Sequence, residues 1–537
     1  EGLATLRRTV EATSAGSVIL FFRNTPDAET ARATVTEARS IIESVTGTAP
    51  FIAIDQEGGI VARLSKGVTP IPGAMAQAAA CLGGSAGIGD IENLGEECGG
   101  DLAALGINWN LAPVADVNVN PNNPVIGVRS YGENPDLVAE FASAFARGLG
   151  KSGVMATAKH FPGHGDTTID SHLDMPLIQH DLARLDKIEL LPFRRLIAEE
   201  IPAVMTAHIR FPAVEPDPLP ATLSPRVVEG LLRGKLGYKG IICTDCMEMK
   251  AIADHFKDPY VMAVKAGIDI LFISHTPERQ IEAAASIYKA VARGEIPESR
   301  IDASVARILA YKARYPSRTA ALSGERQGAR AGAFALSRRI SRGSITLLRE
   351  GGTLDLAEGG VLIDVAPGNL TGAEDTSEAP SIAVELGRME TEWSTLRVSV
   401  DPSEAEISGA VEFAESILEQ ALSLFSRTAA GDGRLEKKAG KRNLALSLVA
   451  PFAHRGQIEL LTQCASLSAR MKAPLLLILM RSPYDATKLV GLSDSETGAE
   501  ASVIAAYEYT ELSAASLAEY LAGGFEARGV CPITLPL

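Results

Sequence analysis

The first half of the chain alternates short apolar runs with longer segments in which apolar residues recur every three or four positions. Short apolar runs bounded by turn residues are typical of buried strands, and the longer pattern predicts amphipathic helices. Alternating strands and helices predict an α/β fold with a parallel sheet. The predicted strands span residues 17–22, 51–55, 108–111, 156–160, 203–208, 240–244 and 269–274, and the clearest predicted helices span residues 31–45 and 135–149.

These seven strands are one fewer than a (β/α)8 TIM-type barrel contains. The polar residues that stand out in this half lie at or just after the carboxyl ends of predicted strands, where such a barrel holds its active site. The pattern therefore predicts a TIM-type barrel whose first strand is missing or atypical. Because the chain begins without Met, we expect the missing strand to precede Glu1.

A chain of 537 residues is too long for one barrel, which predicts a second domain. A stretch rich in Ser, Arg, Gly and Ala at residues 316–343 predicts a partly helical connector. Beyond it, predicted strands at residues 344–348, 360–365, 443–449, 474–480 and 502–507 alternate with helices such as 410–424 and 512–521. We therefore expect a catalytic barrel over residues 1–318, a linker over 319–343 and an α/β sandwich domain over 344–537.

The segment KHFPGHGDTTIDSH, residues 159–172, holds three His, one Lys and two Asp at the end of a predicted strand. The four-residue spacing of His160 and His164 suggests a metal site, but Pro162 and the neighbouring glycines argue against the helix that such a pair uses. We expect no metal and no other cofactor, and we expect His164 only to hydrogen-bond the loop into shape.

Proton transfer fits the same segment better than a metal does. In Asp170-Ser171-His172 a carboxylate close to an imidazole fixes the tautomer of the ring and stabilises its charged form. A second segment, GIICTDCMEM at residues 240–249, predicts a strand that ends near Asp245. A carboxylate in that position is either a helix cap or a nucleophile, and the residues alone leave both interpretations open.

Five motifs, in this order along the chain, resemble those of glycoside hydrolase family three. The resemblance is to its β-N-acetylglucosaminidase branch, and to members that have two domains. The motifs are IAIDQEGGIVARL (residues 52–64), NWNLAPVADV (108–117), IGVRSYG (126–132), KHFPGHGDTTIDSH and TDCMEM (244–249). The resemblance implies that Asp245 is the nucleophile. It also implies that His172, supported by Asp170, is the general acid and then the general base, in place of the second carboxylate that most glycosidases use.

The resemblance further implies sugar-binding side chains, at Asp55, Arg63, Arg129, Lys159 and His160. Each has a plainer interpretation: Asp55 as a cap of the Gly58-Gly59 turn, and the arginines as surface ion pairs of little energetic value. We expect Asp116 to be structural. His208, at a strand tip, is either structural or faces the sugar.

The implied activity is that of a retaining exo-β-N-acetylglucosaminidase, a β-N-acetylhexosaminidase that acts on peptidoglycan or chitin-type fragments. One alternative is a β-glucosidase or β-xylosidase of the same family with a Glu acid from the second domain, although such enzymes lack the Asp170-Ser171-His172 signature. Another is a non-catalytic sugar-binding protein. Phosphate in place of water as the acceptor also stays open.

Composition excludes several other functions. No apolar stretch approaches the roughly 20 residues that span a bilayer, so we expect no membrane span. The formal net charge of −15 opposes nucleic-acid binding. The six cysteines are scattered, with Cys243 and Cys246 as a lone CxxC, which predicts free thiols. Free thiols favour a cytoplasmic protein, but a signal peptide would precede Glu1, so a secreted origin stays open.

Overall fold

The computed structural model describes residues 2–169, 174–317, 324–352, 354–366, 380–429, 442–497 and 501–536. These residues form two compact units. The first comprises the described residues of Glu1–Ala74 and Ile88–Leu336, and the second those of Met75–Gly87, Ser337–Leu370 and Thr376–Leu537. The domain boundaries expected at residues 318 and 344 stay a prediction.

All seven strands predicted for the first half are present, and a short antiparallel hairpin follows the second of them. The strands are β1 Ser17–Leu20, β2 Phe51–Ile54, the hairpin β3 Gln56–Gly58 and β4 Val61–Ala62, β5 Trp109–Asn110, β6 Thr157–Phe161, β7 Ala203–Thr206, β8 Ile241–Cys246 and β9 Ile270–Phe272. Parallel ladders join β1-β2-β5 and β6-β7-β8-β9. Parallel bridges from Trp109 to Met155 and from Val114 to Lys159 connect the two sets.

Side chains from the whole series of strands meet in one core. They include Ile19, Phe51, Trp109, Met155, Met205, Cys243 and Phe272. The rings of Phe21 and His275, which follow β1 and β9, lie 5.0 Å apart, so the first and last strands end close together. Because the strands surround a common core in chain order, this unit has the predicted TIM-type α/β architecture.

Twelve α-helices are described in this half of the chain, and the ends of α2 show how local chemistry sets helix boundaries. The helices are α1 Gly2–Thr13, α2 Ala28–Thr46, α3 Ala74–Leu82, α4 Ile88–Ala104, α5 Pro135–Lys151, α6 Leu182–Lys187, α7 Leu190–Ala198, α8 Lys250–Ala253, α9 Pro259–Ala266, α10 Pro277–Ala292, α11 Glu298–Arg314 and α12 Gly324–Ser344, with a π-helical turn at Arg226–Lys235. Helix α2 starts earlier than predicted because the Asp27 side chain accepts the Thr30 N–H at 2.8 Å. It stops at Gly47, whose φ of 68° suits glycine. No strand was predicted where α1 lies, and the strand expected before Glu1 stays a prediction.

The second unit contains one mixed sheet, in the order β10-β15-β14-β13-β11-β12. Its strands are β10 Thr346–Arg349, β11 Gly360–Val365, β12 Trp393–Val398, β13 Asn443–Leu448, β14 Leu475–Leu479 and β15 Ser502–Ala505, and its later helices are α13 Ile382–Gly387, α14 Glu404–Ala429, α15 Arg455–Met471, α16 Ala486–Thr497 and α17 Glu511–Leu521. Strand β10 is antiparallel to β15, and the other pairs are parallel. The predicted α/β class is thus confirmed here also.

The sequence analysis missed β12, and its position explains why. This strand pairs only with β11 among the described residues, and its middle residues Ser394 to Arg397 are partly or fully exposed. An edge strand of this kind lacks the continuous apolar run by which the other strands were found. No helix in the described part of the chain has both the length and the apolar content needed to cross a membrane.

Candidate active site

A cavity of about 440 Å³ opens at the carboxyl ends of the strands in the first unit. Six of the predicted site residues line it, namely Asp55, Arg63, Arg129, Lys159, His160 and Asp245. They come from five different strands or the segments that follow them, and as many as 190 positions separate them in the chain (245 − 55). The fold therefore brings together residues that the motifs identified one by one.

Two carboxylates hold the Lys159 ammonium group inside this cavity. Lys159 is only 2% exposed, and its Nζ lies 2.8 Å from Asp55 Oδ1 and 2.6 Å from Glu57 Oε1. Burial alone would lower the pKa of this lysine, but the charges of Asp55 and Glu57 raise it above its ordinary value. Lys159 is therefore a charged donor at the base of the cavity.

A buried fork joins Arg129 to the same glutamate. Arg129 Nε and Nη2 donate to the two oxygens of Glu57 at 2.9 and 2.8 Å, and Nη1 donates to the Val125 carbonyl at 3.1 Å. Burial opposes ionisation of Glu57, but Arg129 and Lys159 outweigh it and hold the pKa of this carboxyl well below its ordinary value. Arg129 is buried, so the interpretation of a surface ion pair is wrong for this residue.

Arg63 is the least satisfied cation of the cavity wall. It is 5% exposed, and its nearest carboxylate oxygen, Asp55 Oδ2, lies 4.0 Å from Nη2. Its Nε and Nη1 are buried without a hydrogen-bond partner, and its guanidinium lies 5.7 Å from the Phe21 ring centre. Buried donors without partners are costly, so these two groups are well suited to oxygens of a ligand. A surface ion pair is excluded for Arg63 as well.

Buried Asp116 holds two histidines at the end of β6, His160 and His164. Its Oδ2 lies 2.7 Å from His160 Nδ1, and its Oδ1 accepts the backbone N–H groups of His160 and His164 at 3.1 and 2.7 Å. Burial would raise the pKa of Asp116, but the two histidines and these hydrogen bonds hold it below its ordinary value. Asp116 thus fixes the backbone and one ring at the end of β6.

His164 is neutral at physiological pH. Burial and the neighbouring His160 lower its pKa to about 4, and its Nδ1 lies 2.9 Å from Thr167 Oγ1. Its contacts shape the loop in the way expected from the sequence, although its ring also lines the cavity.

Asp245 lies near the end of β8 and lines the cavity. Strand β8 continues to Cys246, one residue beyond Asp245, so this carboxylate lies at the carboxyl end of the strand, where the sequence predicted it. The N–H of Cys246 donates to Asp245 Oδ1 at 2.7 Å and orients the carboxylate. The carboxyl end of a barrel strand is a position that suits a group that reacts with a bound ligand.

His208 lies behind the cavity wall and not among the residues that line it. It is 1% exposed, with Nδ1 2.8 Å from Thr222 Oγ1 and Nε2 3.0 Å from the carbonyl of Cys246. Strand β7 ends at Thr206, two residues before His208, and the ring then reaches toward β8. These contacts support the structural interpretation of His208. One of them is to Cys246, the residue that follows Asp245.

The predicted pair Asp170 and His172 lies outside the described residues. On its two sides the chain is well connected: Thr167 is buried, and Ile178 donates its N–H to the Arg210 carbonyl at 3.0 Å. Close to this segment, Asp166, His180 and Glu189 offer one ligand atom each within 4.8 Å of one another. Arg184 donates to both oxygens of Glu189 at 2.9 and 3.2 Å, and a guanidinium in that position repels a metal ion.

The sequence analysis missed Glu57, although a signal for it exists. Asp55 and Glu57 are two residues apart in extended chain, where alternate side chains point to the same side. A second acid at that spacing, in DQEGG, could have been assigned to the same cavity.

The motifs also did not indicate several residues at the entrance of the cavity. The Phe21 ring lies 4.7 Å from the Arg23 guanidinium and 5.0 Å from the His275 ring. Glu248 accepts the backbone N–H groups of His275 and Thr276 at 2.6 and 3.1 Å, which fixes the segment after β9. Arg23, Lys250 and His275 are exposed, so two cationic side chains and an imidazole lie at the entrance.

Comparison with known proteins gives consistent matches. Residues 3–311 match the family described as "Glycosyl hydrolase family 3 N terminal domain". The chain is 35% identical over 331 residues to a protein named beta-hexosaminidase A from Pseudoalteromonas piscicida, of which the match covers 55%. It is 36% identical over 280 residues to a beta-hexosaminidase from Methylococcus capsulatus, of which the match covers 80%.

A solved structure matches both halves of the chain. It is described as a glycoside hydrolase family 3 beta-N-acetylglucosaminidase from Paenibacillus sp. str. FPU-7. The two are similar with a TM-score of 0.86 and 35% sequence identity, over 99% of this chain and 95% of that one.

Proposed function

Because the chain belongs to glycosyl hydrolase family 3, a family of glycoside hydrolases, we propose that it is a retaining exo-β-N-acetylglucosaminidase. It removes a terminal β-linked N-acetylglucosamine from a larger glycan. The observation that carries this proposal is that Asp245 lines the same cavity as the buried charged cluster of Asp55, Lys159 and Arg63. A nucleophile and a set of fixed donors and acceptors thus face one volume of sugar size.

The charged cluster supports sugar binding by hydrogen bonds in fixed directions. Lys159 is a charged donor, and Arg63 has two buried donor groups without protein partners. No hydrogen bond to Asp55 Oδ2 is described, and Arg63 Nη2 lies 4.0 Å from this oxygen. Hydroxyl groups donate and accept hydrogen bonds, so a pyranose satisfies all three side chains at once. The names of the relatives support N-acetylglucosamine as that sugar.

The proposed reaction proceeds by two displacements at the anomeric carbon. In the first, a carboxylate oxygen of Asp245 forms a bond to this carbon while the bond to the leaving oxygen breaks and His172 gives that oxygen a proton. In the second, His172 takes a proton from water, the water oxygen bonds to the carbon, and the ester to Asp245 breaks. Two inversions retain the configuration. Asp170 orients the His172 ring in both steps.

The entrance of the cavity supports an anionic aglycone. Exposed Arg23, Lys250 and His275 lie there, and Glu248 directs its oxygens to backbone N–H groups. Cell-wall fragments carry a carboxylate on the sugar that follows N-acetylglucosamine, whereas chitin fragments are neutral there. We therefore favour peptidoglycan fragments over chitin fragments as the substrate.

The proposal is tested by comparing hydrolysis of an aryl N-acetyl-β-glucosaminide with that of an aryl β-glucoside, with and without a chelator. We expect a strong preference for the glucosaminide, no effect of the chelator, and loss of activity in Asp245→Ala. A preference for the glucoside would contradict the assignment. Phosphate is added in a parallel assay, and release of the sugar 1-phosphate instead of the free sugar would identify a phosphorylase.

A further inference from the structure

Glu57 pairs with both Lys159 and Arg129 and has no role in the proposed reaction. Its two oxygens receive three charged donors, two from Arg129 at 2.8 and 2.9 Å and one from Lys159 at 2.6 Å. Its side chain is 6% exposed, so water solvates its charge only weakly. The residue thus connects two cations that come from segments 72 and 102 positions further along the chain (129 − 57 and 159 − 57).

The arrangement leaves an acceptor of Asp55 available. Lys159 divides its donors between Glu57 and Asp55 Oδ1, and Asp55 Oδ2 lies 4.0 Å from Arg63 Nη2, beyond hydrogen-bond distance. Without the charge of Glu57, Asp55 would be left to compensate Lys159, and the Arg129 fork would lose its ionic partner and one of its two acceptor oxygens. Lys159 and Arg129 would then compete with the ligand for Asp55 Oδ2.

We propose that Glu57 is a positioning residue for the terminal sugar, and that it acts only through Lys159 and Arg129. It fixes the direction of the Lys159 ammonium group and keeps Asp55 Oδ2 accessible to a sugar hydroxyl. This inference deepens the proposed function and rests on it, because turnover of the glucosaminide is one of its readouts.

The first test is steady-state kinetics of Glu57→Gln, which keeps the shape of the side chain and removes its charge. We expect KM to rise and kcat/KM to fall by roughly tenfold to hundredfold, the usual effect of losing a hydrogen bond between charged groups. Glu92→Gln is the matched control, because Glu92 also receives one Arg and one Lys, Arg147 at 3.0 Å and Lys151 at 2.6 Å, away from the cavity. The control should retain the wild-type constants.

A pH profile separates positioning from a general structural role. The charged groups that face Lys159 are Asp55, Glu57 and Arg129. Removal of the Glu57 charge leaves burial and Arg129 to oppose protonation, so the alkaline limb of kcat/KM should move to lower pH in Glu57→Gln. In Glu57→Asp, which keeps the charge, the limb should lie closer to that of the wild type.

A double-mutant cycle completes the test. If Glu57 acts through Lys159, Glu57→Gln should reduce kcat/KM less in a Lys159→Met background than in the wild type. Fully additive losses, or wild-type kinetics in Glu57→Gln, would overturn the proposal.

Two further results keep this inference distinct from the proposed function. Wild-type protein that cleaves no N-acetylglucosaminide refutes the function and not the geometry. In that case, crystal structures of the wild type and Glu57→Gln decide: the inference requires a displaced Lys159 or Arg129 head group, and unchanged positions would overturn it. If Glu57→Gln does not fold, the same comparisons are made with Glu57→Asp. An intermediate loss of kcat/KM is expected for that variant, and an unchanged kcat/KM would overturn the inference.

Discussion

Lys159 and Asp55 are 104 positions apart in the chain, yet Lys159 Nζ lies 2.8 Å from Asp55 Oδ1 at the base of the cavity. The pair exists because β2 and β6 run in the same direction around one core, so their carboxyl ends meet. A positive group beside an acceptor, both fixed by the fold, is a rigid unit for binding a hydroxyl.

Replacing Lys159 by Met should therefore reduce kcat/KM by roughly tenfold to hundredfold, because one charged donor is lost and two buried carboxylates then repel each other. Steady-state kinetics with the aryl N-acetyl-β-glucosaminide measures the change. Lys235→Met, which removes an exposed lysine from an ion pair with Asp186, should have no effect. Equal kinetic constants for Lys159→Met and wild type would exclude Lys159 from the binding of substrate.

Asp116→Asn should destabilise the first unit by about 1–3 kcal/mol at pH 7, because a buried acceptor of three hydrogen bonds loses its charge. The pKa of Asp116 is lower in the folded chain than its ordinary value. Its stabilisation is therefore complete above the unfolded pKa of about 3.9 and is lost as the pH falls through the folded pKa.

The difference in unfolding free energy between Asp116→Asn and wild type should thus be constant from pH 7 to about 5 and shrink in stronger acid. Denaturant unfolding at pH 7, 5 and 3 measures it. Asp136→Asn, at an exposed position in the first turn of α5, serves as the control and should change little. A difference that grows on acidification would contradict the described hydrogen bonds.

Asp485 offers a prediction for the second unit with the opposite sign. Burial raises its pKa to about 6, although Arg481 and Lys488 oppose this. A carboxyl with a raised pKa costs stability in its ionised form, so stability is lost as the pH rises through about 6. Asp485→Asn should stabilise this unit by about 1–3 kcal/mol at pH 8.

The gain in Asp485→Asn should decrease toward pH 4, as wild-type Asp485 takes up its proton. Calorimetry at both pH values follows it. Glu459→Gln removes an exposed carboxylate of the same unit and should show no such pH dependence. Destabilisation of Asp485→Asn at pH 8 would show that its charge is well compensated in the fold.

His172→Ala tests the proposed acid directly. A leaving group of low pKa needs no proton, so the variant should hydrolyse activated aryl glycosides far better than glycosides with poor leaving groups. We expect the loss in kcat/KM to be roughly a hundredfold or more larger for poor leaving groups, on the order of a typical acid contribution. A series of substituted aryl N-acetyl-β-glucosaminides measures the trend, and equal losses across the series would contradict the acid role.

The sequence predicts the fold well because the barrel strands are continuous apolar runs that turn residues delimit. Seven of the nine described strands of the first unit were predicted within a few residues, whereas the short hairpin β3–β4 and the half-exposed edge strand β12 were not. The motifs indicated individual residues that line the cavity, but not how their side chains pair. Arg129 and Glu57 are 72 positions apart, and no local pattern indicates that their side chains meet in a buried fork.

Burial also could not be inferred for single residues. Arg63 and Arg129 could equally have been surface residues, and only the packed structure shows that both are almost completely enclosed. His208 lies at a strand tip, as expected, but its ring turns toward Cys246 and away from the cavity lining. Side-chain direction at such positions depends on neighbouring strands, which the sequence does not specify.

In the proposed mechanism, Asp245 forms a covalent bond to the sugar. The direct test is to incubate the protein with a slow fluorinated N-acetylglucosaminide that accumulates the intermediate, digest the protein, and locate the label by mass spectrometry. We expect one sugar per chain on Asp245, and no label in Asp245→Ala. A label on any other residue, or an active wild type that never accumulates one, would contradict it.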